Sequence, residues 1–417
     1  MNFLQFAVWG SYLTSMGSYL AGAGMASHIG LFYAMQGIVS LFMPALIGII
    51  ADRWVQAQRL LGVCHGLAAA FMFGAGYYAM AAGDSVAFAP LFTMYAFSVA
   101  FYMPTIALAN SVAYSALEKS GLDPVRAFPP IRVWGTVGFI CAMLVCDFAG
   151  FQTGYMQFMQ CAAIGIVFAV YAFTLPQCPV SGGSAKRGVV DVLGLRAFTL
   201  FRDRRMAIFF IFSMLLGVSL QITNGFANPF LTSYRDVPEY MSTFGANHAN
   251  ALISLSQISE TLCILLIPFF MKRYGIKRVM IISMLAWVGR FGLFGIGNPG
   301  GGVWMFILSM IIYGVAFDFF NISGSLFVNE QTDVDIRSSA QGLFMMMTNG
   351  IGATIGTLGA QAVVNHFVYD KGLQGVEMIA GWQSSWLVFA AYALVVTVLF
   401  AIFFRYRYDP AAASHRA

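Results

Sequence analysis

The sequence predicts an all-α integral membrane protein of twelve transmembrane helices arranged as two six-helix bundles. Three observations carry this reading. Of 417 residues, 59% are hydrophobic and only 9% charged, with a mean hydropathy of +0.76; a soluble domain carries roughly a quarter charged residues. The first 51 residues contain no Lys, Arg, Asp or Glu. Cutting the chain at charge clusters and at Gly, Pro and Asn breaks leaves twelve apolar stretches, each close to the roughly 20 residues a helix needs to cross about 30 Å of hydrocarbon. This composition excludes a water-soluble enzyme, a disordered tail and a nucleic-acid binder, and a net charge of +5 is too small to attract polyanions.

The stretches cover about 3–24, 29–51, 60–82, 87–116, 130–151, 154–175, 207–232, 248–271, 279–297, 303–328, 339–364 and 382–404. They are too long for buried strands and lack the alternation of a β-barrel. The first is long enough to span and closes on no A-x-A-like cleavage site, so no cleavable signal is needed. The six cysteines, Cys64, Cys141, Cys146, Cys161, Cys178 and Cys263, have no metal-ligand spacing and read as small buried hydrophobes.

Orientation follows from the positive-inside rule. With both termini in the cytoplasm, the inner loops hold Arg53 and Arg59; Lys119 and Arg126; Lys186, Arg187, Arg196, Arg202, Arg204 and Arg205; Lys272, Arg273, Lys277 and Arg278; Arg337; and Arg405, Arg407 and Arg416, which is 18 of the 22 basic residues. The outer loops hold only Arg235 and Lys371, while Arg132 and Arg290 fall within spans. The longest hydrophilic stretch, 176–205, reads as a cytoplasmic linker between bundles at 1–175 and 206–417. A faint repeat supports the division. Gly48-Ile-Ile-Ala-Asp52-Arg53-Trp-Val-Gln-Ala-Gln-Arg59 follows the second span, and Pro268-Phe-Phe-Met-Lys272-Arg273-Tyr-Gly-Ile-Lys277-Arg278 follows the eighth. The first resembles the G-x-x-x-D-R-x-G-R-[KR] loop of the major facilitator superfamily, with Val55 in place of its second Gly. That resemblance implies two bundles with a site between them at the midplane.

Ionisable groups in hydrocarbon are costly and face a cavity or a partner. Glu260 falls near the middle of the eighth span and Asp318 near the middle of the tenth; Arg132 lies near the inner end of the fifth, Arg290 well inside the ninth. Gln257 and Glu260 are i,i+3, as are Gln221 and Asn224; Arg132, Thr136 and Phe139 form one stripe at i, i+4 and i+7; Tyr313 and Phe317 are i,i+4, with Asp318 about 100° further round. Some of these groups have a plainer use. Thr136, Asn224 and Asn349 suit simple helix pairing equally well. Arg290 reads as a structural ion-pair partner, and pairing with Arg290 or Arg132 competes with a functional role for Asp318. Glu260 beside Gln257 has no helix-packing use, so it reads as functional.

Paired carboxamides at Gln221, Asn224 and Gln257 offer donors and acceptors together, the neighbouring aromatics offer faces for a flat ring, and one Arg and one Glu give charge-assisted bonds. The set suits a neutral ligand, either a sugar or a base attached to a sugar. No Ser/His/Asp set, H-E-x-x-H, Walker A or Gly-rich phosphate loop is present, and the five histidines lie at or near span ends, in loops or in the tail. Chemistry on the ligand is not expected, and no cofactor or metal is called for. Ion gradients remain as the energy source. Hydrocarbon penalises the charged form of an acid, so a buried carboxyl loads a proton on one side and discharges it on the other. One proton moving down 100 mV supplies about 2.3 kcal/mol, enough to hold a neutral solute at a roughly 50-fold gradient.

Several blocks resemble the bacterial nucleoside:proton symporter family: Phe128-Pro-Pro-Ile-Arg-Val-Trp-Gly-Thr-Val-Gly-Phe139, Arg205-Met-Ala-Ile-Phe-Phe-Ile-Phe-Ser-Met-Leu-Leu-Gly217, Leu220-Gln-Ile-Thr-Asn224, Ser254-Leu-Ser-Gln-Ile-Ser-Glu-Thr261, Tyr313-Gly-Val-Ala-Phe-Asp-Phe-Phe-Asn-Ile-Ser-Gly324 and Ser339-Ala-Gln-Gly-Leu-Phe-Met-Met-Met-Thr-Asn-Gly350. The resemblance runs from Asn2 to about Arg407; the chain starts almost at its first span, without the short basic segment of the family pattern. It implies proton-coupled uptake of purine and pyrimidine nucleosides across the inner membrane by alternating access. It implies a nucleoside site made of Arg132, Thr136, Phe139, Gln221, Asn224, Gln257, Glu260, Tyr313 and Phe317, with Glu260 and Asp318 coupling to protons. A monomer in membrane lipid is expected, with nucleoside and proton as partners and no nucleic acid. Pro90, Pro104, Gly350, Gly352, Gly356 and Gly359 are expected to allow bends or close packing inside spans. The rivals are a sugar or polyol symporter of the same fold, a membrane-embedded transferase, which needs catalytic residues grouped at a membrane face, and a channel, which needs repeated pore rings.

Overall fold

The computed structural model describes residues 1–178, 195–333 and 336–406. Lys186, Arg187, Arg407 and Arg416, counted above among the inner basic residues, lie outside them, as do the side chains of Asp52, Arg53, Arg126 and Arg196. Among the described residues the regular structure is helical, and it threads twelve crossings.

The first crossing, α1, is two helices, Asn2–Gly10 and Met16–Gly22. Its interruption is chemical. The run from Ser11 to Ser15 is rich in hydroxyls. Ser11 Oγ donates back to Ala7 O (2.8 Å), and Tyr12 N and Ser15 N reach only three residues back, to Trp9 O and Tyr12 O. α2 is Ile29–Ser40 followed by Met43–Arg53, a bent pair turning by 40°. α3 (Ala57–Ala82), α4 (Phe88–Lys119), α5 (Pro124–Phe148) and α6 (Met156–Ala172) complete the first bundle. α7 is Arg204–Ser233, capped by Asp203, which accepts from Arg205 N and Met206 N at 2.7 and 2.9 Å.

Helix Ile267–Ile296 is not one crossing. Gly275 inside it takes φ 73°, ψ 166°, a backbone region that only glycine enters cheaply. Residues 267–274 therefore prolong Ala249–Ile264 as the end of α8, and residues 276–296 form α9. α10 is Val303–Gln331. α11 runs from Arg337 through a wide π turn at Met346–Gly352 and on through Ala353–Val364; α12 is Gly375–Phe403.

α3 packs on α4 and α6, and α1 on α5; in the second bundle α9 packs on α10 and α12, α8 on α10, and α7 on α11. The bundles meet along α1–α7, α2–α11 and α5–α8. The α7–α11 seam is closed by glycines: a Cβ on Gly217, Gly352 or Gly356 would strike the backbone of Thr348, Met214 or Val218. The sequence expectation of close packing at Gly350, Gly352 and Gly356 therefore matches, whereas Gly359 faces open space and Pro90 sits in the first turn of α4, where a missing N–H costs nothing. Gly217→Ala is expected to cost about 1–3 kcal/mol, because two backbones must move apart; a lower thermal-unfolding midpoint in detergent, with no change at Gly359→Ala, checks it.

Candidate functional site

Arg132, on α5, lays its guanidinium 4.0 Å from the centre of the Phe6 ring of α1. This contact holds a cation at the bundle seam without an anion. It exists because α1 and α5 approach closely: a Cβ on Gly135 would meet the Phe6 ring, and one on Gly138 the Phe3 backbone. Two turns along α5, Phe139 is buried and meets the Trp9 ring edge-on at 6.4 Å. Thr136 lies between them, half-buried.

Glu260 faces Arg132 from α8. The two are within electrostatic reach of each other, as are Glu260 and Tyr313, and Glu260 and Asp318. Yet neither acid forms an ion pair within 4 Å among the described residues. Glu260 is half-buried. Asp318 is 5% exposed, and its Oδ2 has no hydrogen-bond partner. Gln257, one turn from Glu260, is half-buried. On α7, Asn224 Nδ2 donates to Gln221 Oε1 at 2.8 Å, leaving the carbonyl of one amide and the amino group of the other to face outward.

On α10 the Tyr313 and Phe317 rings stack at 5.7 Å with a 3° interplanar angle. Arg290 of α9 covers Tyr313, its guanidinium 4.5 Å from the ring centre, and Trp287 meets it edge-on. The expectation that Arg290 is an ion-pair partner is corrected here. Arg290 is 2% exposed, and Nη1 donates to Ser309 O (2.8 Å) and Ser256 Oγ (3.3 Å) with no carboxylate against it. A π face and neutral oxygens hold it, because a seam of serines and aromatics surrounds it on α8, α9 and α10. The same geometry leaves Asp318 unpaired with Arg290 or Arg132. Asn349 reaches Met345 Sδ (3.7 Å), one turn back on its own helix, a contact that joins no second helix.

Sequence reasoning passed over Phe6 and Trp9. Both read as ordinary apolar positions, and only the α1–α5 crossing reveals that they flank Arg132 and Phe139. It also placed His65 near a span end. His65 is wholly buried in α3, where Nε2–H donates to Gln5 Oε1 (2.8 Å); Gln5 Nε2 then donates to Thr105 Oγ1 (2.8 Å), and Tyr102 OH to Gln5 O (2.7 Å). This network pins α1 to α3 and α4 and so supports Phe6 and Trp9. All six cysteines are free, and Cys141 alone among them is exposed.

The described arrangement joins two bundles around an unpaired acid, an arginine, carboxamides and stacked rings. A family model described as nucleoside H+ symporter matches residues 1–409. The chain is 46% identical to the xanthosine permease of Escherichia coli K12, covering 100% of this chain and 97% of that one. It is equally 46% identical to the nucleoside permease NupG of the same strain, covering 98% and 95%. A crystal structure of nucleoside transporter NupG superposes with a TM-score of 0.87 at 46% identity, covering 97% of this chain and 98% of that one. An inward-facing bacterial Spinster homologue shares the fold at a TM-score of 0.66 and 13% identity over 98% of each chain.

Proposed function

The chain belongs to the nucleoside H+ symporter family, and we propose that it carries purine and pyrimidine nucleosides inward with protons across the bacterial inner membrane. Both termini are cytoplasmic in this reading, because that places the basic loops inside, and residues 176–205 link the two bundles. The observation that carries the reading is Glu260: an acid that forms no ion pair among the described residues, within electrostatic reach of an arginine of one bundle and of the acid and Tyr313 of the other.

The residues divide by chemistry. Gln221, Asn224, Gln257 and Glu260 supply hydrogen bonds to base edge and ribose, with Thr136 and Arg132 opposite. Stacking falls to Phe317 and Phe139; Arg290 already covers the Tyr313 ring, so Tyr313 offers its hydroxyl. Substrate binds in the seam, the bundles rock around it, and Glu260 and Asp318 take protons at one face and release them at the other. Purified chain in proteoliposomes should accumulate labelled uridine and adenosine, but not lactose, only when the outside is acid; lactose accumulation would point to a sugar symporter. Asn224→Ala should weaken uridine binding by about 1–3 kcal/mol, since a buried ligand group loses its partner; a KM raised about tenfold at unchanged membrane level checks this.

A further inference from the structure

On the face opposite the termini, which is the outer face in the transport reading this inference rests on, the bundles are laced together. Thr14 of α1 donates to Asn250 Oδ1 (2.9 Å), Asn228 of α7 donates to the same oxygen (2.7 Å), and Ser18 donates to Asn228 Oδ1 (2.5 Å). One acid sits in this lattice. Asp147, at the end of α5, is 3% exposed and reaches across to the start of α8. Its Oδ2 accepts from Ala251 N at 2.6 Å; its Oδ1 accepts from His248 Nδ1 (3.2 Å) and Gln152 Nε2 (3.1 Å).

Ala251 is the third residue of helix Ala249–Ile264, whose own N-cap, His248, makes no side-chain capping bond. Helix starts leave N–H groups unpaired and carry partial positive charge, which a carboxylate satisfies and neutralises. Here the cap comes from the other bundle. We propose that Asp147 is a positioning residue that caps α8 in trans and latches the outer face shut. The helix it caps is the one bearing Gln257 and Glu260, the acid lying nine residues beyond Ala251. When the outer ends part, Asp147 leaves with α5, and α8 loses its cap. Closing the outer face and ordering the start of the acid-bearing helix are then one event. Arg235 braces the far side, donating to Ala246 O and Asn247 O at 2.9 Å each, so the loop before α8 is already held when Asp147 docks.

The test uses the full chain in membranes. Ser18 Oγ and Thr232 Oγ1 lie 2.9 Å apart across the same seam. Ser18→Cys with Thr232→Cys, in a Cys141→Ser background, should therefore oxidise to a disulfide while the outer face is shut. Loss of the two thiols is counted by maleimide mass shift after denaturation, with no substrate present. Asp147→Ala should slow oxidation about five- to tenfold. It should also lower the KM for outside uridine, because more of the unloaded protein stands open outward; a general folding defect would not lower KM. Asp147→Asn keeps an acceptor for Ala251 N–H and should slow oxidation about two- to threefold; it decides the matter if the alanine variant fails to reach the membrane. Unchanged oxidation, or a raised KM, overturns the latch. Oxidation requires no nucleoside, so a failure of uridine uptake by the parent chain would sink the transport reading and leave the cross-linking result standing.

Discussion

Glu260→Gln should abolish concentrative uptake of uridine while leaving the protein in the membrane at parental level. Glutamine keeps the size of the carboxyl and can still hydrogen-bond, but it carries no titratable proton and no charge. Substrate binding then survives in part, because Gln221, Asn224 and Gln257 are untouched, and Asn224 and Gln221 hold each other at 2.8 Å without Glu260. What disappears is the link to the gradient. Counterflow, in which internal unlabelled uridine exchanges for external label, should persist; uptake driven by an acid exterior should fall by at least tenfold. The energetic scale supports this, since one proton through 100 mV is worth about 2.3 kcal/mol and its loss collapses a roughly 50-fold gradient. Parental accumulation by the variant would remove Glu260 as the proton carrier. The variant should also leave stability nearly unchanged, because among the described residues Glu260 pairs with no cation within 4 Å whose desolvated charge it would orphan.

Much of this site is legible in one dimension because membrane helices report polarity sharply. Among so few charges, Glu260 and Asp318 stand out, and helical spacing alone places Gln257 with Glu260 and Asn224 with Gln221. The twelve crossings are legible for the same reason: even the break at Gly275, hidden inside a long apolar helix, coincides with the basic loop between the eighth and ninth stretches. Contacts between helices that are neither neighbours in sequence nor polar are not legible. The Phe6–Arg132 contact depends on the crossing of α1 and α5. The burial of Arg290 under Tyr313 depends on α9 and α10 meeting at that height, and sequence logic, which expects a buried guanidinium to find an acid, has no way to anticipate a π face. Asp147 falls at a span end, where an acid is ordinary, and its partner Ala251 N is a backbone group that no side-chain motif records.

Asp318→Asn should uncouple transport from the proton gradient more completely than it impairs binding, and its effect should not add to that of Glu260→Gln. The argument is electrostatic. Asp318 is 5% exposed, its Oδ2 has no hydrogen-bond partner among the described residues, and Glu260 lies within electrostatic reach. Two like charges enclosed by helices repel far more strongly than they would in water, and groups so placed exchange protons as a pair rather than singly. Removing the charge of Asp318 takes away one of two carboxyl groups that act together. Uridine affinity should therefore change by less than about threefold, whereas acid-driven accumulation should fall by at least tenfold. In the double variant the loss should equal that of either single variant, since residues that act as one unit do not contribute separately. Arg132 sharpens the distinction. It lies within reach of Glu260 and is held over Phe6, so the charge on Glu260 is felt across the seam by a cation that Asp318 does not pair. Solute-driven proton uptake, followed by a pH dye inside the vesicles, reads the coupling directly. A dye response of parental size in Asp318→Asn, or additive losses in the double variant, would show that the two acids act independently.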